Sequence, residues 1–202
     1  MVHRFLMILL IGSFLIGCQD KEEHLREVEA YQAAENESFG NPETSILKPE
    51  DLKDFSGLEF YPIDIKYRVK AKFIRTPNEK PFLMRTTTDR LPEYVKYGEV
   101  QFKLDGKNLK LELFQDTQHL SQEGYEDYLF LPITDLTSGD GSYGGGRFLD
   151  VKIPIEETMV LDFNKLYNPL CAYNERFSCP IPPKQNDLQV RIEAGVKDFG
   201  KH

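Results

Sequence analysis

Apolar and polar positions alternate with two different periods along this chain, and each period predicts one kind of element. Over residues 63–73, apolar side chains alternate with charged ones at every second position. A period of two places one face of a strand on a core and the other face in water. Upstream, Leu25, Val28 and Tyr31 recur every three residues in a stretch rich in Glu and Ala. This second spacing predicts an amphipathic helix over residues 22–38.

The remainder of the chain predicts further strands. Residues 100–104 and 109–113 alternate on either side of residues 105–108, which predicts a hairpin with a four-residue loop. The other candidate strands are residues 82–88, 128–133, 148–153, 159–163 and 188–192. Because no long helical pattern separates them, we predict an all-β fold. It is an antiparallel β-sandwich or a partly closed barrel of roughly eight strands, preceded by an N-terminal helical tether.

The first seventeen residues have the pattern of a secretory signal. Arg4 precedes an apolar run over residues 5–16 that is too short to span a bilayer. Residues 15–18, Leu-Ile-Gly-Cys, resemble the lipobox of bacterial lipoproteins, in which the cysteine receives a diacylglyceryl group and the signal is cut before it. The resemblance implies a lipid anchor at Cys18, and two or more acyl chains attach a protein stably to a membrane. An uncleaved signal anchor and an ordinary signal peptide with an accidental cysteine are the alternatives.

Three segments follow from this interpretation. They are a signal peptide over residues 1–17, a lipidated N-terminus with a helical tether or linker over residues 18–56, and a β domain over residues 57–202. We expect a protein of the bacterial cell envelope that is anchored through Cys18, at the outer membrane and facing the periplasm or the surface. The acidic residues after Cys18 are similar to the short signals of some surface lipoproteins, and they also suit a solvated tether.

The charge balance narrows the choice of partners. The chain has 25 basic and 33 acidic residues, which gives a net charge of -8. A basic patch is the expected footprint of a nucleic-acid-binding protein, so we expect no nucleic acid partner. The same balance does not suggest a polybasic membrane-surface binder.

One candidate ligand-binding loop precedes Arg147. It is formed by Tyr143, Gly144, Gly145 and Gly146. Glycine allows backbone N–H groups to approach a ligand closely, so this loop suits an anion, with Arg147 as its counter-charge. It is not a Walker loop, because the Lys-Ser/Thr pair is missing. In the structural alternative, the glycines turn tightly into a strand and Arg147 pairs with Asp150 or Asp162.

A second group of polar side chains follows in the chain. Asp150 precedes it, and its members are Asn164, Tyr167, Asn168, Tyr173 and Asn174. These side chains suit the floor of a polar pocket in which tyrosines stack on a sugar or an aromatic ligand. They equally suit a loop that is fixed by local hydrogen bonds to its own backbone.

Acidic residues supply the candidates for catalysis. They are Asp135, Asp150, Asp162 and Glu193. A hydrolase that uses Asp150 or Asp162, with Arg147 to stabilise negative charge, would need one carboxyl held neutral by burial. His119 is most simply an exposed residue, and few other histidines occur, so neither a Ser-His-Asp site nor a metal site is indicated. We therefore expect no metal and no cofactor.

Cys171 and Cys179 remain once Cys18 carries lipid. An even number of cysteines in an oxidising compartment predicts a disulfide, which would contribute roughly 2–3 kcal/mol by closing a short loop. Free buried thiols and a nucleophilic Cys171 are the alternatives. Metal binding is disfavoured, because the chain has no Cys-x-x-Cys and no histidine near these cysteines.

Several motifs resemble a bacterial family known as domain of unknown function 1684. They are LPITDLTSG at 131–139, YGGGRFLD at 143–150, LDFN at 161–164, YNP at 167–169, CAYN at 171–174, CPIPP at 179–183 and IEAG at 192–195. The resemblance runs from about residue 26 to 199. It implies an uncharacterised protein, often a predicted lipoprotein, with no established activity. Val196 departs from the family, which often has lysine there.

Together these features predict a lipid-anchored envelope protein. We expect its domain to bind a small polar or anionic ligand, or another envelope protein, through residues 144–150 and 164–179. A hydrolase that uses Asp150 or Asp162 is one alternative. A purely structural envelope module is the other.

Overall fold

A curled sheet and a long helix that packs against it make up most of the chain. The computed structural model describes residues 2–120 and 122–201, and within the first helix it describes side chains from Asp20 onward. The helices are α1 (Val2–Gly40) and α2 (Pro49–Lys53), and the strands are β1 (Arg68–Arg75), β2 (Phe82–Leu83), β3 (Glu93–Leu104), β4 (Lys107–Asp116), β5 (Tyr128–Asp135), β6 (Arg147–Lys152), β7 (Thr158–Asp162) and β8 (Asp187–Leu188). The side chains of the predicted signal peptide and of Cys18 lie outside the described residues.

The sheet forms a half-barrel, which confirms the predicted all-β fold with a helical N-terminus. Among the described residues it has eight strands in the order β6-β5-β4-β3-β1-β7, with β2 added to β3 and β8 added to β5. The β5 and β8 pair is parallel, and the other pairs are antiparallel. Beyond the short turn that follows β7, Tyr167 forms a bridge with Phe148 of β6 through hydrogen bonds of 2.9 and 3.0 Å. This bridge brings the two ends of the sheet towards each other, so the barrel is partly closed.

The concave face of the sheet holds the main hydrophobic core. Alternate side chains of β1, β3, β4, β5 and β7 meet there, including Val69, Ala71, Val100, Phe102, Leu111, Leu113, Leu129, Leu131, Ile133 and Leu161. Each fully buried aliphatic or aromatic side chain of this kind stabilises the fold by about 1.5–3 kcal/mol relative to exposure. Burial of one face of each strand therefore explains why apolar and polar residues alternate in the sequence.

The structure corrects the prediction at two turns. The strand expected from residue 63 begins only at Arg68, because the Asp64 side chain accepts a hydrogen bond from the Lys66 N–H at 2.9 Å and caps a turn. The predicted four-residue hairpin loop is also wrong, since Asp105 and Gly106 alone connect β3 and β4. Both have positive φ angles, 48° and 77°, as a two-residue hairpin turn requires. The strands expected at 82–88 and 188–192 shorten to β2 and β8.

Helix α1 packs against the sheet through one of its faces. Val28, His24 and Phe39 are buried on its inner face. His24 Nε2 lies 2.7 Å from Asp162 Oδ2 at the end of β7. Near the other end of the helix, the Asn36 side chain accepts a hydrogen bond from the backbone N–H of residue 58. Within the described part of the chain, no helical stretch combines the length and the apolar character that a membrane crossing requires.

Candidate functional site

The arginine that the sequence suggested as a counter-charge is buried in the interior. The Arg147 side chain is 0% exposed, and its Nη1 atom donates hydrogen bonds to the carbonyl oxygens of Ala194 and Val196. Its Nη2 atom donates to the Ile192 carbonyl at 2.8 Å and to Asp135 Oδ1 at 3.2 Å. A buried guanidinium with this many internal acceptors is a structural group. Its position therefore does not suit the expected contact with an anionic ligand.

Asp135 completes this cluster at the end of β5. Its carboxylate also accepts a hydrogen bond from the Ile192 backbone N–H at 2.7 Å. Burial lowers the pKa of the Arg147 guanidinium, and the negative charge of Asp135 opposes that shift. The expected pairing of Arg147 with Asp150 or Asp162 is wrong, since its partner is Asp135. The cluster ties β5 and β6 to the C-terminal segment of the chain.

The glycine-dense loop before β6 is closed by its own backbone. The Gly139 N–H donates to the Ser142 carbonyl at 2.9 Å, and the Gly146 N–H donates to the Tyr143 carbonyl at 3.1 Å. Gly146 has a φ of +90°, and a Cβ there would collide with the Ile133 carbonyl oxygen. The conformation therefore matches the structural alternative, a tight turn into a strand.

Two predicted tyrosines lie together beneath the end of α1. The ring centroid of Tyr173 is 4.6 Å from that of Phe39. Tyr143 packs at the edge of the same cluster, whereas Gly144 and Gly145 are exposed beside it. Tyr173 therefore holds the helix end against the domain, and Tyr143 extends the same cluster.

The predicted asparagines fix the backbone. Asn164 is buried, and it exchanges two hydrogen bonds of 3.0 Å with the backbone N–H and carbonyl of Asp64. Asn168 is also buried and donates to the Lys197 carbonyl at 2.9 Å. These contacts correspond to the loop-fixing interpretation of this segment.

The two candidate catalytic aspartates have different surroundings. Asp150 is exposed on β6, and its Oδ1 atom accepts hydrogen bonds from the hydroxyls of Tyr128 at 2.7 Å and Tyr167 at 2.6 Å. Asp162 contacts His24 and also accepts a hydrogen bond from the side chain of residue 164. Both aspartates line one groove of about 370 Å³ beneath α1, but each already has its own partners.

A second cavity, which we call the helix–sheet cavity, joins Asp150 and Tyr167 to residues of α1 that were not among the predicted site residues. It has a volume of about 340 Å³ and is lined by Tyr31, Glu35, Ser38, Phe39, Thr44, Ile46, Asp150, Tyr167 and Leu170. Two carboxylates contribute to this lining, and none of these residues is basic. Glu35 lies four residues after Tyr31, so both project from the same helix face. The four-residue spacing of Tyr31 and Glu35 was the one sequence signal for this cavity. It was not used in the prediction, because the helix was interpreted as a tether.

The electrostatics of this cavity are unfavourable for Glu35. Burial raises the pKa of its carboxyl, and the nearby charge of Asp150 raises it further. No described residue forms a hydrogen bond or ion pair with the Glu35 carboxylate. Burial, followed by the charge of Glu35, also raises the pKa of Tyr31. For Tyr167, burial and then the charge of Asp150 raise the pKa. Both phenols therefore remain protonated hydrogen-bond donors near neutral pH.

The predicted disulfide is not formed in the structure. Cys171 and Cys179 are free thiols, although the Cys171 backbone N–H donates to Cys179 Sγ at 3.1 Å. The Tyr143 hydroxyl lies 4.0 Å from Cys171 Sγ. The fold thus brings the two cysteines together, as the predicted disulfide would require, but both remain free thiols.

Comparison with known structures gives a relative of the same fold. The solution NMR structure of an uncharacterized protein from Haloarcula marismortui has 31% sequence identity and a TM-score of 0.70. The similarity covers 91% of this chain and 99% of the relative. It therefore includes part of the sequence before residue 53, where α1 lies.

The search of curated proteins gave no match. The model of one family, described as a protein of unknown function (DUF1684), matches residues 53–197. This range spans well over half of the 202 residues and contains the buried arginine cluster, Asp150 and both thiols. The chain therefore belongs to the DUF1684 family of proteins of unknown function.

Proposed function

We propose that this chain is a lipid-anchored protein of the bacterial envelope whose domain binds a small organic cation in the helix–sheet cavity. The observation that carries the proposal is the half-buried Glu35 carboxylate, which lacks a described partner and faces the charge of Asp150. A site that holds two carboxylates close together without a cation is unfavourable, and a bound cation would relieve the repulsion. Perturbed acidic groups in a cleft are typical of functional sites.

The other lining residues favour an ammonium compound that also carries a hydroxyl group. Tyr31, Phe39 and Tyr167 supply aromatic rings, and rings of this kind stabilise ammonium groups by about 0.5–2 kcal/mol. Ser38 and Thr44 supply hydroxyls at the same cavity. Its volume of about 340 Å³ suits a compound with a few heavy atoms. The anionic ligand that the sequence suggested is replaced here by a cation, because Arg147 is buried and the lining is acidic.

Choline and its neutral carbon isostere dimethylbutanol test the charge preference directly. Choline keeps its charge at every pH, so only the protein titrates. We expect the detergent-extracted full chain to bind choline at least roughly tenfold more tightly than the isostere, a difference of about 1.4 kcal/mol. Isothermal titration calorimetry measures both affinities.

Two glutamates of the same helix make a matched pair of variants. Glu35→Gln should weaken choline binding about tenfold, because it removes one of the two charges. Glu37→Gln should leave it unchanged, because Glu37 is exposed and does not line the cavity. Equal binding of choline and the isostere, or equal effects of the two substitutions, would contradict the proposal.

The lipid anchor is a separate part of the proposal, supported by the lipobox-like sequence that ends at Cys18. Cys18→Ala should move the protein from the membrane fraction to the soluble fraction after cell lysis. Metabolic labelling with a fatty acid should mark the natural chain and leave the variant unlabelled. A variant that stays in the membranes would count against lipidation.

A hydrolase is the second candidate, and one observation favours it. The raised pKa of Glu35 beside Asp150 resembles the pairing of a protonated acid with an ionised carboxylate. In this version Glu35 donates a proton and Asp150 acts as the base, while Arg147 takes no part. Nitrophenyl esters and glycosides provide the test, since any hydrolysis should be lost in Glu35→Gln and kept in Glu37→Gln. Hydrolysis that survives Glu35→Gln would exclude this role.

A further inference from the structure

We infer that Cys171 and Cys179 form a reversible dithiol–disulfide couple in which Cys171 reacts first with an oxidant of the peroxide class. This inference does not depend on the ligand of the helix–sheet cavity. It concerns a second site, where the segment after Pro169 meets residues 85–88.

The backbone holds the two cysteines together. The Cys171 N–H donates to Cys179 Sγ at 3.1 Å. Cys179 in turn is fixed to Thr87, since the Thr87 N–H donates to the Cys179 carbonyl at 2.9 Å and the Cys179 N–H donates to the Thr87 hydroxyl at 3.1 Å. Hydrogen bonds of the backbone therefore hold the Cys179 sulfur next to the Cys171 N–H.

The surroundings of the two sulfur atoms are unequal. Cys179 is 5% exposed, whereas Cys171 is only partly buried, so a small oxidant reaches Cys171 first. Hydrogen bonds from the Cys179 thiol and then from the Tyr143 hydroxyl lower the pKa of Cys171 to about 6. The same thiol contact and burial raise the pKa of Cys179. The greater exposure and the lower pKa of Cys171 both favour it as the sulfur that reacts first, since thiolates are the reactive form of cysteine.

The chemistry balances with hydrogen peroxide as oxidant. The Cys171 thiolate attacks one peroxide oxygen, the O–O bond breaks, and hydroxide leaves. The sulfur of Cys171 is oxidised to a sulfenic acid while the peroxide is reduced. Cys179 then attacks the Cys171 sulfur, so that an S–S bond forms and the S–O bond breaks. The hydroxyl group leaves as water with the proton of the Cys179 thiol, and an added thiol reverses the couple.

The bond would join two parts of the domain. Cys179 is fixed to Thr87, whereas Tyr173, two residues after Cys171, packs on Phe39 at the end of α1. Oxidation would therefore join the region beneath the helix end covalently to Cys179, which hydrogen bonds hold to Thr87.

The experiment uses the reduced full chain, extracted in detergent and treated with one equivalent of hydrogen peroxide. Alkylation followed by peptide mass spectrometry reports each cysteine separately, including Cys18. We expect Cys171 and Cys179 to lose reactivity together, and the peptides that contain them to join with the loss of two hydrogens. Reduction should restore both thiols. Independent oxidation of the two cysteines, or no change in either, would overturn the inference.

Three variants test the order of events. In Cys179→Ser, dimedone should trap the sulfenic acid at Cys171. In Cys171→Ser, Cys179 should react at least roughly tenfold more slowly than Cys171 does in the natural chain. Tyr143→Phe removes the hydroxyl near Cys171, so the pH profile of Cys171 alkylation should shift to higher pH. A merely structural role of Tyr143 would leave that profile unchanged, and faster oxidation of Cys179 than of Cys171 would also overturn the inference.

Discussion

Two polar clusters of this domain each contain an aspartate of the sheet, but they differ in how completely the protein satisfies them. Around Asp135, the carboxylate faces Arg147 and a backbone N–H, and the arginine also donates to several carbonyl oxygens. Around Asp150, two tyrosine hydroxyls reach one carboxylate oxygen, while Glu35 has no described partner. In the first cluster both charges have partners inside the protein, although the Arg147 Nε has no hydrogen-bond partner among the described residues. The second has an unmet charge at a cavity, and it is the one that we assign to binding.

The comparison separates structural charges from candidate functional ones. A buried charge that lacks partners is costly, so a structural cluster must find its partners inside the protein. A binding site can leave a charge partly unmet because a ligand supplies the missing partner. Removing a charge should therefore destabilise the first cluster and stabilise the second.

The largest effect is expected at Arg147. Arg147→Met should lower the free energy of unfolding by about 3–5 kcal/mol, because Asp135 and three backbone carbonyls would lose their buried partner. Urea denaturation followed by circular dichroism measures the change. Arg191→Met is the matched control, since Arg191 bonds to Asp140 at the surface, where solvent screens the pair, and its loss should change the free energy of unfolding far less. If both variants lost similar free energies of unfolding, Arg147 would contribute no more to stability than an exposed charge does.

A second prediction concerns the loop that was expected to bind an anion. Gly146→Ala should cost roughly 2–3 kcal/mol, because alanine disfavours the positive φ and its Cβ would meet the Ile133 carbonyl. Gly144→Ala should change stability by less than about 0.5 kcal/mol, since only ordinary contacts surround that position. Thermal unfolding compares the two. Equal tolerance at both positions would show that the loop is not held by packing.

The sequence predicted the sheet better than the sites, and the reason is the range of the interactions. Strands such as β3 and β4 were found because their period-two pattern is local and reports burial on one face. The hairpin turn was misjudged because Lys107 and Asn108 are polar but belong to β4, so the polar run looked longer than the turn. Whether a charge is buried depends on partners far along the chain. Arg147 could not be recognised as structural without Asp135 and Ile192 beside it.

The smallest effect is expected at Glu35, and it has the opposite sign. The pKa of Glu35 in the folded chain is raised above its ordinary value of 4.5. Its contribution to stability is therefore present below that value and is lost as the pH rises through the raised pKa. At neutral pH, Glu35→Gln should increase the melting temperature by about 2 °C. The difference should disappear at pH values below the ordinary carboxyl pKa.

Glu37→Gln is again the control, since this exposed side chain should leave the melting temperature nearly unchanged at both pH values. Choline affinity should fall as the pH decreases through the raised pKa of Glu35, because protonation removes the charge that attracts the ligand. If Glu35→Gln lowered the melting temperature at neutral pH, Glu35 would be a structural charge, as Arg147 is.

The position of α1 has a consequence for self-association. Strands β6 and β7 end the sheet, and α1 contacts the end of one through His24 and lies over the other at the helix–sheet cavity. The edge of a sheet presents unpaired backbone groups that can template strand addition from another molecule. The helix therefore covers part of both edges, in addition to the bridge that Tyr167 forms with Phe148 of β6. A chain that begins after residue 40 should therefore self-associate more strongly than the full chain, because more of both edges is open.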